Sequence, residues 1–144
     1  MFVVDTNVLL HAVNASSAPH ARCRELVEEW RQQPTAWHVT WGIVYEFVRV
    51  STHPRVFPKP LRASAAWGFI EALLESPGLI PLVETDRHAA VAAAVLKDVP
   101  IVAGNLVHDA HTAVLMREHG VPSIVTLDMD FHHFPFVTVK SPLA

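Results

Sequence analysis

In Phe2-Val3-Val4-Asp5-Thr6-Asn7-Val8-Leu9-Leu10, apolar residues flank a single carboxylate, and two small polar residues stand directly behind it. The run is short, Val3 and Val4 are β-branched, and no period-2 alternation shows. Residues 2–5 therefore read as a buried strand of a parallel sheet. Asp5 falls at the carboxyl end of that strand, the edge where open α/β sheets bind ligands. Thr6 or Asn7 is placed to cap a following helix that buries Val8, Leu9 and Ala12. A carboxylate in this setting needs a partner, because an unpaired buried charge costs several kcal/mol or titrates away.

Working outward, strand and helix patterns alternate. Residues 20–32 read as a helix with Ala21, Leu26, Val27 and Trp30 on its apolar side, stopped by Pro34. Residues 35–39 form a second strand candidate, and Thr40 caps a helix from Trp41 to about Ser51. There Trp41, Val44, Tyr45 and Val48 recur at helical spacing as a core-facing stripe. A second stripe, Gly42, Glu46, Arg49 and His53, is polar. Glu46 otherwise lies among apolar neighbours, so it is either paired with Arg49 or placed there for chemistry.

Beyond a proline-punctuated connection at 52–60, residues 61–75 return to helix, with Trp67, Ile70, Leu73 and Leu74 as core candidates. Residues 79–83 are a third strand candidate. Asp86 is placed to cap an alanine-rich helix from Arg87 to about Lys97. Asn105 to His119 is a helix ended by Gly120 and Pro122. Its inner stripe, Leu106, Asp109, Ala113 and Met116, contains an acid near the helix start, where the macrodipole favours negative charge. Residues 123–127 are a fourth strand followed by Asp128, and 137–139 a short last one. Strands alternating with helices predict an α/β fold with a mainly parallel sheet of four to five strands, in one domain spanning 1–144.

Half of the 144 residues are hydrophobic, enough for a sizeable core and too many for a disordered chain. No apolar run approaches the roughly 18–20 residues needed to span a membrane, and no basic stretch precedes Phe2 as in a secretory leader. The single cysteine, Cys23, has no partner for an internal disulfide. These features predict a cytoplasmic protein. A net charge of −3 excludes a protein that holds nucleic acid by charge alone. A divalent ion would supply the positive charge where phosphate docks. Mean hydropathy of +0.27 predicts an apolar surface hidden in a dimer or under a partner.

Four acids share one property. Asp5 and Asp128 follow buried strands, while Glu46 and Asp109 sit on helix faces that are not plainly solvent-facing. In a parallel sheet, strand ends and the starts of the following helices meet at one edge, so these groups can converge. Carboxylates gathered there stay ionised together only if cations neutralise them. Oxygen ligands and a phosphate substrate suit magnesium, with manganese as a substitute. Ten histidines, with His132-His133 beside Asp130, raise the question of zinc, but no cluster of four Cys and His ligands is visible along the chain.

Val-Val-Asp-Thr-Asn-Val-Leu-Leu at 3–10, Val-Tyr-Glu-Phe-Val-Arg around Glu46, Gly-Asn-Leu-Val-His-Asp-Ala at 104–110 and Thr-Leu-Asp-Met-Asp-Phe at 126–131 resemble the PIN-domain family. Within that family they are most similar to VapC-type toxins of bacterial type II toxin–antitoxin pairs. The resemblance spans essentially the whole chain, with the acids 41, 63 and 19 residues apart. It implies a three-layer α/β/α fold and a magnesium-dependent endoribonuclease acting on single-stranded or loop RNA. Asp5, Glu46, Asp109 and Asp128 would be its catalytic acids, with Asp5, Asp109 and Asp128 on the metal. Thr6 would assist Asp5, and Asn7 would order the loop. Asp130 would support the site or stand in for Asp128. Arg49 and Arg55 are candidate contacts for RNA phosphates, or simply solvated surface. The resemblance also implies a homodimer held inactive by a cognate VapB-type antitoxin, in a heterotetramer or larger assembly.

Two rival readings use the same acids. A receiver-like signalling module also gathers acids and magnesium at strand ends, and Lys140-Ser141-Pro142 faintly echoes one. Its phosphoacceptor should end a mid-chain strand, whereas Val39 and Val83 are followed by Thr40 and Glu84. A PIN scaffold without activity would have no need of four acids.

Overall fold

Val3 and Val4 point to opposite faces of their strand, and both are completely buried. Both faces of the sheet are therefore covered, which makes a three-layer α/β/α architecture. The computed structural model describes all residues, Met1–Ala144. Strand β1 (Phe2–Val4) leads into helix α1 (Thr6–Val13), followed by α2 (His20–Gln32), α3 (Trp41–Ser51), α4 (Ala63–Leu74), α5 (His88–Asp98) and α6 (Leu106–His119). Strand β2 (Ser123–Val125), a 3-10 turn at Asp130–His133 and β3 (Thr138–Lys140) complete the chain.

The three strands are parallel in the order β1-β2-β3, with Val4 opposite Val125 and Val125 opposite Lys140. The sheet continues past β1 more loosely. His38 bridges to Val3, Trp37 to Leu79 and Thr40 to Leu82, all in parallel. Hydrogen bonds of 2.8–3.0 Å join these segments. The expected strands at 35–39 and 79–83 are thus in place, but as single bridges rather than ladders. The resulting five-segment order runs 79–82, 37–40, β1, β2, β3, all parallel.

Local chemistry sets the helix ends. Thr40 accepts a hydrogen bond from the Ile43 amide at 3.0 Å and so caps α3. Gly120 ends α6 with φ of +70°, a left-handed conformation that side chains resist, and the Val121 amide closes on Met116 O. Two expected caps are corrected. Asp5, not Thr6 or Asn7, caps α1. Asp86 does not cap α5, since Thr85 Oγ1 receives the Arg87 amide instead.

The stripe on α3 is also corrected. Ile43, Val44, Phe47 and Ser51 are buried, whereas Trp41 and Tyr45 are exposed and lean on Trp67 of α4. Both stripes have helical spacing, and periodicity alone does not say which one faces the sheet. On α2 the buried residues are Cys23, Val27 and Trp30, with Leu26 packed partly against the core, while the expected Ala21 is exposed. Burial also pushes the Cys23 thiol up, so it is a packing residue rather than a nucleophile.

Gly78 turns the chain from α4 into the 79–82 segment against backbone. A Cβ there would lie 2.2 Å from Thr35 O and 2.9 Å from Gln33 O. Gly78→Ala is expected to cost about 1–3 kcal/mol, because neither carbonyl can yield without moving the edge of the sheet. An unchanged urea midpoint for this variant would contradict that packing.

Candidate active site

The register of β1 and β2 fixes the floor of a cavity of about 610 Å³. The Asp5 amide donates to Val125 O at 3.0 Å, so Asp5 leaves β1 beside Thr126 leaving β2. Asp5 is 8% exposed, and three donors hold it. The Thr6 amide reaches Oδ1 at 2.8 Å, and Asn7 Nδ2 and Thr126 Oγ1 reach Oδ2 at 3.1 and 2.7 Å. A carboxylate has about four lone-pair positions, so roughly one remains to face the cavity. Asn7 fixes the neighbouring loop as well, since its Oδ1 accepts from the Leu127 amide at 3.0 Å and its Nδ2 donates to Thr126 Oγ1 at 2.9 Å. Thr6 turns its hydroxyl to Ile43 O at 3.3 Å, tying α1 to α3.

Thr126 is the residue whose role was not foreseen. Its single hydroxyl donates to Asp5 and accepts from Asn7 and from the Asp128 amide at 2.9 Å. It stands inside the quoted 126–131 motif, two residues before an acid and at a strand end, a position from which a hydroxyl can turn back onto its own chain. That was the available signal.

The structure brings all the singled-out acids to this cavity. Asp5, Glu46, Asp109, Asp128 and Asp130 line it, together with Thr6, Asn7 and Arg49. Asn105, His108 and Thr112 add polar edges. Asp109, Asp128 and Asp130 each offer a carboxylate oxygen within 4.8 Å of the other two. The Asp130 amide donates to Asp128 Oδ1 at 3.0 Å, so the two last acids share one turn and have equal geometric claim. Arg55 lies on the turn after α3, outside the lining residues.

The electrostatics divide these acids. Burial raises the Asp109 carboxyl to a pKa of about 7, and the charges of Asp5, Asp128, Asp130 and Glu46 add to the rise. Burial likewise raises Asp5, against the pull of the Thr126, Thr6 and Asn7 donors. Glu46 goes the other way. Arg49 meets both its oxygens, at 2.6 and 3.0 Å, and lowers its pKa. The pairing expected as one of two alternatives for Glu46 therefore exists, and it orients the carboxylate at the rim of the same cavity. Arg49 is exposed and already engaged, so it leaves the inner acids uncompensated.

Those inner acids fit a hard divalent cation. They are oxygen donors from helix α6 and from the β1 and β2 strand ends, and burial together with their mutual repulsion raises Asp109 to a pKa of about 7. The PIN domain family model matches residues 2–137. This chain belongs to the PIN-domain family. Ribonuclease VapC37 of Mycobacterium tuberculosis is 37% identical over 144 residues, covering 100% of this chain and 99% of that protein. Ribonuclease VapC48 of the same species is 32% identical over 140 residues, covering 97% and 96%. Among solved structures, M. tuberculosis VapC20, described as a sarcin-ricin loop cleaving toxin, aligns with a TM-score of 0.64 at 20% identity, covering 92% of this chain and 93% of that one. VapBC2 of Rickettsia felis, bound to a promoter DNA fragment, aligns with a TM-score of 0.63 at 14% identity, covering 97% of each chain. At these identities the structural likeness speaks for the PIN fold alone.

Proposed function

We propose that this PIN domain, read as one domain over 1–144, is a magnesium-dependent endoribonuclease and the toxin of a toxin–antitoxin pair. The observation that carries the reading is the convergence of Asp5, Glu46, Asp109, Asp128 and Asp130 on one cavity from separate elements of the fold. The VapC relatives, ribonucleases by name over the full chain, supply the substrate class.

Asp5, Asp109 and Asp128 would hold the ion, with Asp130 replacing or supporting Asp128. When bound, magnesium (or manganese) offsets the negative charge that grows on the phosphodiester oxygens and lowers the pKa of an attacking water. The chain's own residues position and exclude. Thr126 and Asn7 lock the Asp5 carboxylate in one rotamer. Arg49 holds Glu46 ionised, so Glu46 serves at the rim as a fixed hydrogen-bond acceptor that would orient the attacking water rather than as an acid. Arg49 at the rim and, farther out, Arg55 on the turn after α3 are the candidate contacts for the RNA backbone. Flexible single-stranded or loop RNA fits such a recess better than an A-form duplex with its deep, narrow major groove. A VapB-type antitoxin is the matching protein partner, as in the Salmonella typhimurium VapBC complex with DNA. A homodimer is the state expected for the toxin. No helix is long and apolar enough to cross a membrane.

Incubating the purified protein with total RNA, with magnesium or with chelator, tests the chemistry. Cleavage that persists in chelator, or none in magnesium, overturns it. The Thr126 hydroxyl offers a finer test. Thr126→Val removes the hydroxyl that donates to the Asp5 carboxylate and accepts from Asn7 and the Asp128 amide, and is expected to weaken magnesium affinity and cleavage about 10–100-fold. Thr126→Ser keeps the hydroxyl and should restore both. Equal activity of the Val and Ser variants would show that the hydroxyl does not position Asp5.

A further inference from the structure

Beyond the acidic cavity, a second cluster has ligands of a different kind. Glu84 follows the 79–82 segment, His88 opens α5, and His111 lies on α6. Each offers one ligand atom, and the three atoms lie within 4.8 Å of one another. His111 Nε2 already meets Glu84 Oε1 at 2.8 Å, and the His88 and His111 rings meet edge to face with centroids 5.8 Å apart. In a tetrahedral zinc site neighbouring ligand atoms stand about 3.3 Å apart. Small rotations of three partly or fully exposed side chains cover the difference, with no movement of backbone.

A fourth residue gives this cluster a built character. The Glu118 side chain has no exposed surface, and its Oε1 lies 2.6 Å from His88 Nδ1. Its other oxygen accepts the Thr85 amide, and Arg87 reaches the Glu118 carbonyl at 2.6 Å. Glu118 is thereby fixed, and it fixes His88 with Nδ1 as the donor and Nε2 left free to bind. A buried carboxylate on the far nitrogen of an imidazole is the arrangement that orients metal-binding histidines and raises their basicity. Two imidazoles and one carboxylate, with the fourth position open to water, suit zinc and its neighbours. Magnesium, which prefers an all-oxygen shell, is served by the other site.

We propose that Glu84, His88 and His111 form a second metal site, for a zinc-class divalent ion, with Glu118 orienting His88. The site joins the loop after the 79–82 segment to α5 and α6. His111 is two residues beyond Asp109 and lines the acidic cavity, so an ion here stiffens one wall of that cavity. This inference does not depend on the ribonuclease reading, because it concerns metal uptake alone.

The test uses the full chain carrying Asp109→Asn, Asp128→Asn and Asp130→Asn, which removes the whole clustered acid set and so suppresses competing uptake in the acidic cavity. Zinc chloride is titrated calorimetrically, and cobalt chloride by its visible absorption. One equivalent is expected to bind, and the cobalt form should show the intense absorption of a four- or five-coordinate ion with nitrogen ligands. Zinc at a hundredfold excess over Kd should raise the thermal midpoint by about 5 °C or more. Adding Glu84→Ala, an exposed position with no folding risk, should weaken zinc at least tenfold, and His88→Ala further. Glu118→Gln should weaken it about 10–100-fold while leaving all three ligands in place. No zinc uptake in the parent overturns the proposal. So does uptake that Glu84→Ala and His88→Ala leave unchanged.

Discussion

Asp5→Asn is expected to lower RNA cleavage by at least about a thousandfold while the protein stays folded. A metal's charge stabilisation is worth several kcal/mol in the transition state, and each 1.36 kcal/mol is a factor of ten. The amide keeps the shape of the carboxylate and removes its charge. Its oxygen can still accept from the Thr6 amide, which preserves the cap of α1. Its Nδ2 then faces Asn7 Nδ2, a donor, and Thr126 Oγ1, whose two lone pairs already accept from Asn7 and from the Asp128 amide. These donor–donor contacts cost about 1–3 kcal/mol. The opposing gain is that burial disfavours the ionised Asp5, so neutralising it relieves the folded state. The two effects oppose each other, and the variant should still melt cooperatively in chelator, within several degrees of the parent. Parent-like turnover of Asp5→Asn in magnesium would remove Asp5 from the metal site and from the mechanism.

The parts of this fold that were legible from sequence share one cause. Val3, Val4, Asp5 and the hydrophobic run behind them carry a local signal, because a buried parallel strand needs unbroken apolar residues and its end needs a cap. The 20–32 and 41–51 helices were legible to the residue, since Pro34 and Thr40 mark their ends chemically. What stayed hidden depends on partners distant in sequence. Trp41 and Tyr45 have the right spacing for a core stripe, but Ile43, Val44 and Phe47 win the sheet and leave the larger rings to Trp67. The role of Thr126 exists only because the β1–β2 register lays it beside Asp5, 121 residues away. The Glu118–His88 contact likewise joins α6 to α5. The acids themselves were visible because a carboxylate in apolar company is conspicuous in any sequence. Their convergence rested on the rule that strand ends and helix starts share one edge.

Asp109→Asn combines two large expected effects that separate metal binding from folding. In chelator, Asp109 has a folded pKa of about 7 against an ordinary 3.8, so the folded state holds a proton that the unfolded chain releases. The contribution of Asp109 to stability therefore falls as pH rises from about 4 through about 7, and its deficit is complete above that range. Allowing for solvent screening of a half-buried group, it amounts to about 1–2 kcal/mol at pH 8. Asp109→Asn removes it, so the variant should melt a few degrees above the parent in chelator at pH 8, with little difference at pH 4. Magnesium should reverse the order. The parent gains stability as the ion binds the folded state alone, whereas the variant has lost one of its carboxylates and gains little. Cleavage by the variant should fall on the order of 10²–10³-fold, for the same loss of charge at the ion. Thermal melts of both proteins at pH 4 and 8, with chelator and with magnesium, give the full comparison. A variant that melts no higher than the parent in chelator at pH 8 would mean that Asp109 is already compensated. The acids would then have no need of an ion.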